Sequence, residues 1–291
     1  MAYLHSDREF FEFCLERHRI YLRRLAGQPW PWTEDKILRA YKFTNVYREL
    51  DRVTVWLHRN WREPYAEHQN LAFAMCVARF INRPETLEFM GFPEIWNPEQ
   101  SARKLNERKA KGHSIYTPAY MIRAETTPGR EAYDDKQLYV CKVVLGPIWK
   151  DRLHFEKLTT IQETTEWLSS HYGWGGFMSY EVASDLRHTR YLSGAPDALT
   201  WANPGPGAHR GLNRVCRGDV GCGGGNALED MRQLLAISRE RWPNNNEYPP
   251  WEMREVEHCL CEFDKYERVR LGQGRPKQVY RPLLSLPDGR V

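Results

Sequence analysis

Polar residues at positions where apolar ones are expected give the first indication of chemistry in this sequence. Residues 7–26 set Phe10, Phe13, Cys14, Tyr21 and Leu25 at helical i, i+3, i+4 spacing, and Arg17 and His18 fall on the same stripe. Such groups on an apolar face must find partners or a ligand, and an internal salt bridge would serve Arg17 equally well. In NVYRELDRVTVWL (45–57), Val46, Leu50, Val53 and Leu57 form an inward face, while Arg48, Asp51 and Arg52 are spaced to converge on another. Intrahelical ion pairs are the ordinary use of that spacing. The arginine fork also matches phosphate oxygens two at a time. LCEFDKYER (260–268) places Glu262, Asp264 and Lys265 beside Leu260 and Phe263 in a similar mixture.

Two glycine-containing segments suggest phosphate contacts of another kind. In residues 159–189 a helix is expected to end at His171, followed by the hairpin HYGWGG and a second helix from about Phe177. That is the outline of a helix-hairpin-helix, in which Gly173 and Gly175 would let backbone amides approach a DNA phosphate. Trp174 between them is either a wedge at DNA or a packing residue. WANPGPGAHRGLNRVCR (201–217) is a second Gly/Pro loop, with Gly205, Gly207 and Arg210, leading into a basic helix.

The elements that position these residues are helical nearly throughout. GQPWPWTED forms a turn after the first helix, with Thr33 as the expected N-cap of the next. NLAFAMCVARFI (70–81) is apolar enough for a buried helix. KQLYVCKVVLGPIW (136–149) is a further apolar helix that Pro147 should end or bend. Loops are expected at ETTPGREAYDD (125–135) and at GDVGCGGGN (218–226). With no convincing run of alternating strands, the fold class is all-α.

Composition narrows the function classes. A 41% hydrophobic and 13% aromatic chain of 291 residues is not a disordered tail, and its length is ample for a core. No run approaches the ~20 apolar residues of a membrane helix, and the N-terminus lacks an apolar signal core, so a soluble cytoplasmic protein without a membrane partner is expected. The seven cysteines are odd in number and scattered, which favours reduced thiols. The spacing of Cys216, Cys222, Cys259 and Cys261 fits no common zinc arrangement, and no metal site is expected. A net charge of +4 does not by itself imply nucleic acid. Its distribution is more telling. ERHRIYLRRLAG and DKYERVRLGQGRPKQVYR both mix basic residues with aromatics, which suits a phosphate backbone beside stacked bases, although charge alone favours a solvated helix face.

ERHRIYLRRLAGQPWPWTED, KFTNVYRELDRVTVWL, GPGAHRG (205–211) and LCEFDKYER together resemble the phage thymine-hypermodification proteins. These are known as α-glutamyl/putrescinyl thymine pyrophosphorylases or amino acid:DNA transferases, and the same group of sequences includes a helical domain associated with 5-hydroxymethyluracil DNA kinases. The resemblance runs roughly from Phe10 to Arg281. It implies a helix-hairpin-helix DNA glycosylase-like fold, a single domain whose two helical lobes flank a central cleft. It implies double-stranded DNA with a modified thymidine as partner, in an infected bacterial cell. The pyrophosphate of 5-pyrophosphoryloxymethyl-deoxyuridine would be replaced by the amine of a free amino acid or polyamine.

The resemblance also implies roles for particular residues. Arg17, His18, Arg48, Arg52 and Lys265 would clamp the pyrophosphate. Asp51, Glu49, Glu262 or Asp264 would supply the base or grip the donor. Gly173, Trp174, Gly175, Gly205, Gly207 and Arg210 would meet DNA. No particular cofactor is indicated, and a divalent cation could assist departure of pyrophosphate. Gly205 occupies the position of the glycosylase aspartate and Phe177 that of the Schiff-base lysine, which disfavours base excision. A phosphate loop of the GxxxxGK[ST] type is missing from the sequence, which disfavours a kinase. A non-catalytic DNA-binding module supporting such a kinase is the alternative.

Overall fold

The computed structural model describes residues 7–118, 135–217 and 226–281. In chain order its helices are α1 (Asp7–Leu25), α2 (Lys36–Ala40), α3 (Arg52–Leu57), α4 (Leu71–Ile81), α5 (Pro84–Met90) and α6 (Pro98–Ala110), then α7 (Lys136–Leu138), α8 (Leu145–Lys150), α9 (Ile161–Ser169), α10 (Gly176–Leu186), α11 (Pro206–Arg217), α12 (Ala227–Arg241) and α13 (Met253–Arg270). No strand occurs among the described residues beyond two isolated bridges, Tyr41 with Val279 and Asn245 with Tyr248. The all-α class therefore holds. The chain divides into two compact units, one of Met1–Asp51 with Ala198–Val291 and the other of Arg52–Asp197.

In the first unit α1 buries the face read from its periodicity, including Arg17 and His18, whereas Leu25 at its end is exposed. Phe10 meets Phe263 of α13 edge to face at 5.5 Å, and Phe13 lies 4.9 Å from Tyr266. Two glycines one helical turn apart let α11 approach α13 closely. A Cβ on Gly211 would stand 2.0 Å from the Leu260 carbonyl oxygen, and one on Gly207 would stand 2.6 Å from Cys261 Sγ. Contact this close leaves no room for a side chain, so both glycines serve packing.

Three local expectations are corrected. Asp35, not Thr33, caps α2, its Oδ1 accepting from the amides of Ile37 and Leu38 at 2.7 and 2.9 Å, while Thr33 Oγ1 accepts from Asp35 N. Residues 45–57 are not one helix. A 3-10 turn at Arg48–Leu50 ends at an extended Asp51 before α3 begins, because the Asp51 carboxylate accepts from the backbone and side-chain nitrogens of Asn45, both at 3.1 Å. Pro147 lies in the first turn of α8 and does not end it. The preceding turn, Tyr139–Val144, is π-helical, so the helix is irregular just before the proline.

The second unit is built on α4, whose residues from Leu71 to Ile81 are all buried. Arg79 on that helix pairs with both oxygens of the wholly buried Asp185 on α10 and also donates to Thr54 Oγ1 at 3.0 Å and Asn82 Oδ1 at 3.1 Å. Helices α9 and α10 flank the expected hairpin within about two residues of the expected ends. The loops expected at 125–135 and 218–226 lie outside the described residues, apart from their last members. Asp135 caps α7 and Asn226 caps α12.

Candidate functional site

A short chain reversal in the first unit organises the candidate site. The segment leaving α2 pairs with the chain beyond α13, Lys42 N donating to Gln278 O at 3.1 Å and Tyr280 N to Ala40 O at 2.9 Å. Tyr280 is thereby brought edge to face with Trp32 at 6.2 Å. Trp32 is anchored by its indole N–H to Gln28 O at 2.7 Å, and the Arg24 guanidinium lies over its ring at 5.2 Å. These elements line an open pocket whose enclosed volume is ≈ 70 Å³.

The chemistry of the lining is uneven. Arg17, Arg24 and Arg39 contribute three guanidinium groups, Trp30, Trp32, Phe43 and Tyr280 contribute ring surface, and among the described residues no carboxylate lines the pocket. Among the described residues no carboxylate pairs with Arg24 or Arg39. Trp30 is 40% exposed. Cations left without counterions beside flat apolar rings suit a planar ligand that carries negative charge.

The pocket floor is the corner at residues 44 and 45. Arg17 Nη2 donates to Thr44 O at 2.7 Å and to Asn45 O at 3.1 Å, and Arg17 Nη1 reaches Cys259 Sγ at 3.5 Å. Glu262 Oε2 accepts from Thr44 N at 3.2 Å and pairs with Lys265 Nζ at 2.7 Å, while Lys265 lies over the Phe43 ring at 4.6 Å. Asp51 holds Asn45 from the other side. Burial pushes its carboxyl up to about 6, against the downward pull of Arg48, the Asn45 amide and Arg17. The acids therefore stand behind the wall and fix its backbone.

The family model for the 5-hmdU DNA kinase helical domain matches residues 5–275. The chain belongs to that family. A 5-hmdU DNA kinase of Bacillus phage SP10 is 30% identical to it over 228 residues, 71% of this chain and 35% of the phage protein. The chain thus spans about a third of that relative's length. No solved structure matches it.

Within this helical-domain chain the other residues singled out from sequence have different settings. His18 is buried among Tyr21, Tyr47, Trp242 and Tyr248, its Nε2 2.6 Å from Glu247 O, and burial lowers its pKa. It is a packed imidazole and does not line the pocket. Arg48 is buried and Glu49 half-buried in the 3-10 turn. Arg52 belongs to the second unit, where it is exposed and paired with Glu85.

Asp264 is fully buried and is the counterion of Arg210 and Arg214, at 2.9 and 3.0 Å, which excludes it from pocket chemistry. Gly205 has open space around it just before α11. In the second unit, Trp174 is buried against Phe80 and donates to Val144 O at 3.2 Å, so it packs rather than projects. Gly173 has φ +82° and lies so close to Val144 that an added Cβ would meet Cγ2 at 2.9 Å, whereas Gly175 is open.

Sequence reasoning reached Arg17 but missed Arg39, Trp30, Trp32, Phe43 and Tyr280. The two basic, aromatic stretches that contain Arg24 and Tyr280 carried the signal, and only the pairing of residues 40–42 with 278–280 joins them.

Proposed function

We propose that this chain handles the modified base in DNA thymidine hypermodification, as a transferase that exchanges the pyrophosphate of 5-pyrophosphoryloxymethyl-deoxyuridine for the amine of an amino acid or polyamine. The observation that carries this reading is the pocket with Arg17, Arg24 and Arg39 beside Trp30, Trp32, Phe43 and Tyr280. An extruded pyrimidine is planar and stacks on aromatic rings. A pyrophosphate on its 5-methylene concentrates negative charge that guanidinium forks neutralise, most strongly as the leaving group departs.

In the exchange the amine lone pair attacks the 5-methylene carbon. The carbon–oxygen bond breaks, its electron pair leaves with pyrophosphate, and the nitrogen releases a proton to solvent. Arg24 and Arg39 receive the leaving group, and Arg17 shares that task with its anchoring of residues 44 and 45. Asp51 and Glu262 act one step back, holding the backbone that shapes the floor. The helix-hairpin-helix of α9 and α10 and the glycosylase-like arrangement of two lobes about a cleft are part of the same reading. Membership of a family described by a DNA kinase supports a second one, in which the chain is a non-catalytic DNA-binding module that supports a 5-hydroxymethyluracil DNA kinase.

Binding separates a base-handling pocket from an ordinary DNA surface. Affinity is measured for one duplex carrying either thymine or 5-pyrophosphoryloxymethyl-uracil at a single position. Tighter binding of the modified duplex, lost in Arg24→Gln and Arg39→Gln, is the expected result. Equal affinity for both duplexes would contradict base capture.

A further inference from the structure

We infer that the arginines gathered on Asp264 form a second phosphate-binding site, separate from the residues that line the pocket. Asp264 on α13 is fully buried, and each of its oxygens has a hydrogen-bonded guanidinium, Arg214 Nε at 3.0 Å on Oδ1 and Arg210 Nε at 2.9 Å on Oδ2. Arg214 is buried and its Nη2 also donates to Gln273 Oε1 at 2.8 Å, so it is committed to holding α11 on α13. Two guanidiniums already satisfy the carboxylate.

A third is nevertheless present. Arg268, one turn beyond Asp264, places Nε 3.3 Å from the same Oδ2 without hydrogen-bond geometry, and that nitrogen is buried with no partner. The carboxylate next to it in sequence, Glu267, is taken by Nε and Nη2 of Arg270, both at 2.6 Å. Three cations around one anion repel one another, and the cluster retains two positive charges. Arg210 and Arg268 are 42% and 38% exposed at their side chains, and among the described residues neither makes a further hydrogen bond. Packing alone has no use for Arg268 here. A phosphate group presented from solvent would take the terminal nitrogens of Arg210 and Arg268 together and relieve the repulsion.

The ligand is a phosphate, either a backbone phosphodiester of DNA or free inorganic phosphate or pyrophosphate. The first source rests on the reading above that DNA is the partner. The site is tested on the full chain by measuring binding of a fluorescent duplex across salt concentrations, and by the rise in melting temperature with inorganic pyrophosphate. Arg268→Gln should fold like the wild type and lower the slope of log affinity against log salt by about one, as loss of one phosphate contact does, with Arg268→Lys restoring it. Arg210→Gln should act in the same direction.

If the wild type fails to bind DNA but pyrophosphate stabilises it more than it stabilises Arg268→Gln, the site holds free phosphate and the DNA reading falls instead. An unchanged slope together with an unchanged pyrophosphate response in Arg268→Gln would overturn the site and leave the pocket untouched.

Discussion

Arg17 grips the carbonyl oxygen of Thr44 with two nitrogens, Nη2 at 2.7 Å and Nε at 3.2 Å. A buried cation on α1 thereby sets the conformation of the corner that floors the pocket, while the same side chain also faces that pocket. The position thus has two uses, and substitution separates them.

Arg17→Met keeps the length of the side chain but leaves the Thr44 and Asn45 carbonyls without their donor. The first unit should lose about 3 kcal/mol, the usual consequence of removing hydrogen bonds to a buried charge. Urea denaturation measures it. Arg17→Lys, which keeps the charge but not the fork, should lose less stability and still weaken binding of the modified duplex.

Asp51 makes stability depend on pH. Its carboxyl is raised from 3.8 to about 6, mainly by burial, so the folded state binds the proton more tightly than the unfolded state. The favourable contribution is full below about pH 4 and is lost as pH rises through about 6, on the order of 3 kcal/mol in all. Glu255, pushed up to about 7 by burial, adds a slope of the same sign, so the test is a difference between proteins. Asp51→Asn keeps an oxygen for the Asn45 amide and removes the charge. Relative to the wild type its melting temperature should gain between pH 4 and 7, and parallel curves would show that Asp51 is not the group responsible.

The glycines of α11 should respond in a graded order. Gly211→Ala drives a methyl into the Leu260 carbonyl at 2.0 Å, a backbone atom that cannot turn aside, and should destabilise the first unit by about 3 kcal/mol. Gly207→Ala meets the Cys261 thiol, which can rotate, and should lose about 1 kcal/mol. Gly205→Ala meets nothing and should be close to neutral. Equal effects at Gly205 and Gly211 in thermal melts would show that helix contact does not govern these positions.

Periodicity alone made the helical class legible, together with the burial of Arg17 and His18 and the helix at 70–81. It succeeded there because a stripe of apolar side chains reports directly on a buried face. It failed at 45–57, where the pattern is helical but Asp51 captures Asn45 and breaks the helix, a local side-chain competition that spacing does not encode. The glycines of GPGAHRG suggest phosphate contacts by sequence, whereas the close approach of α13 to Gly207 and Gly211, one turn apart, is not legible from spacing. Asp264 offered a carboxylate to the chemistry and is instead neutralised by arginines from α11, more than fifty positions away for Arg210, at 54. The aromatic half of the pocket was hidden for a similar reason, since Tyr280 reaches Trp32 only through pairing between opposite ends of the chain.

The central claim is that the pocket with Arg24 and Arg39 supports exchange of pyrophosphate for an amine. Its most direct test is incubation of the purified protein with DNA carrying 5-pyrophosphoryloxymethyl-deoxyuridine and a mixture of amino acids and putrescine, followed by digestion and mass spectrometry of the nucleosides. The account expects a new nucleoside whose mass reflects loss of pyrophosphate and gain of one amine. That product should disappear in a folded Arg24→Gln, Arg39→Gln double variant. An unchanged base on DNA that the protein nonetheless binds would contradict the transferase and leave the supporting-module reading, and release of a free base would point to excision instead.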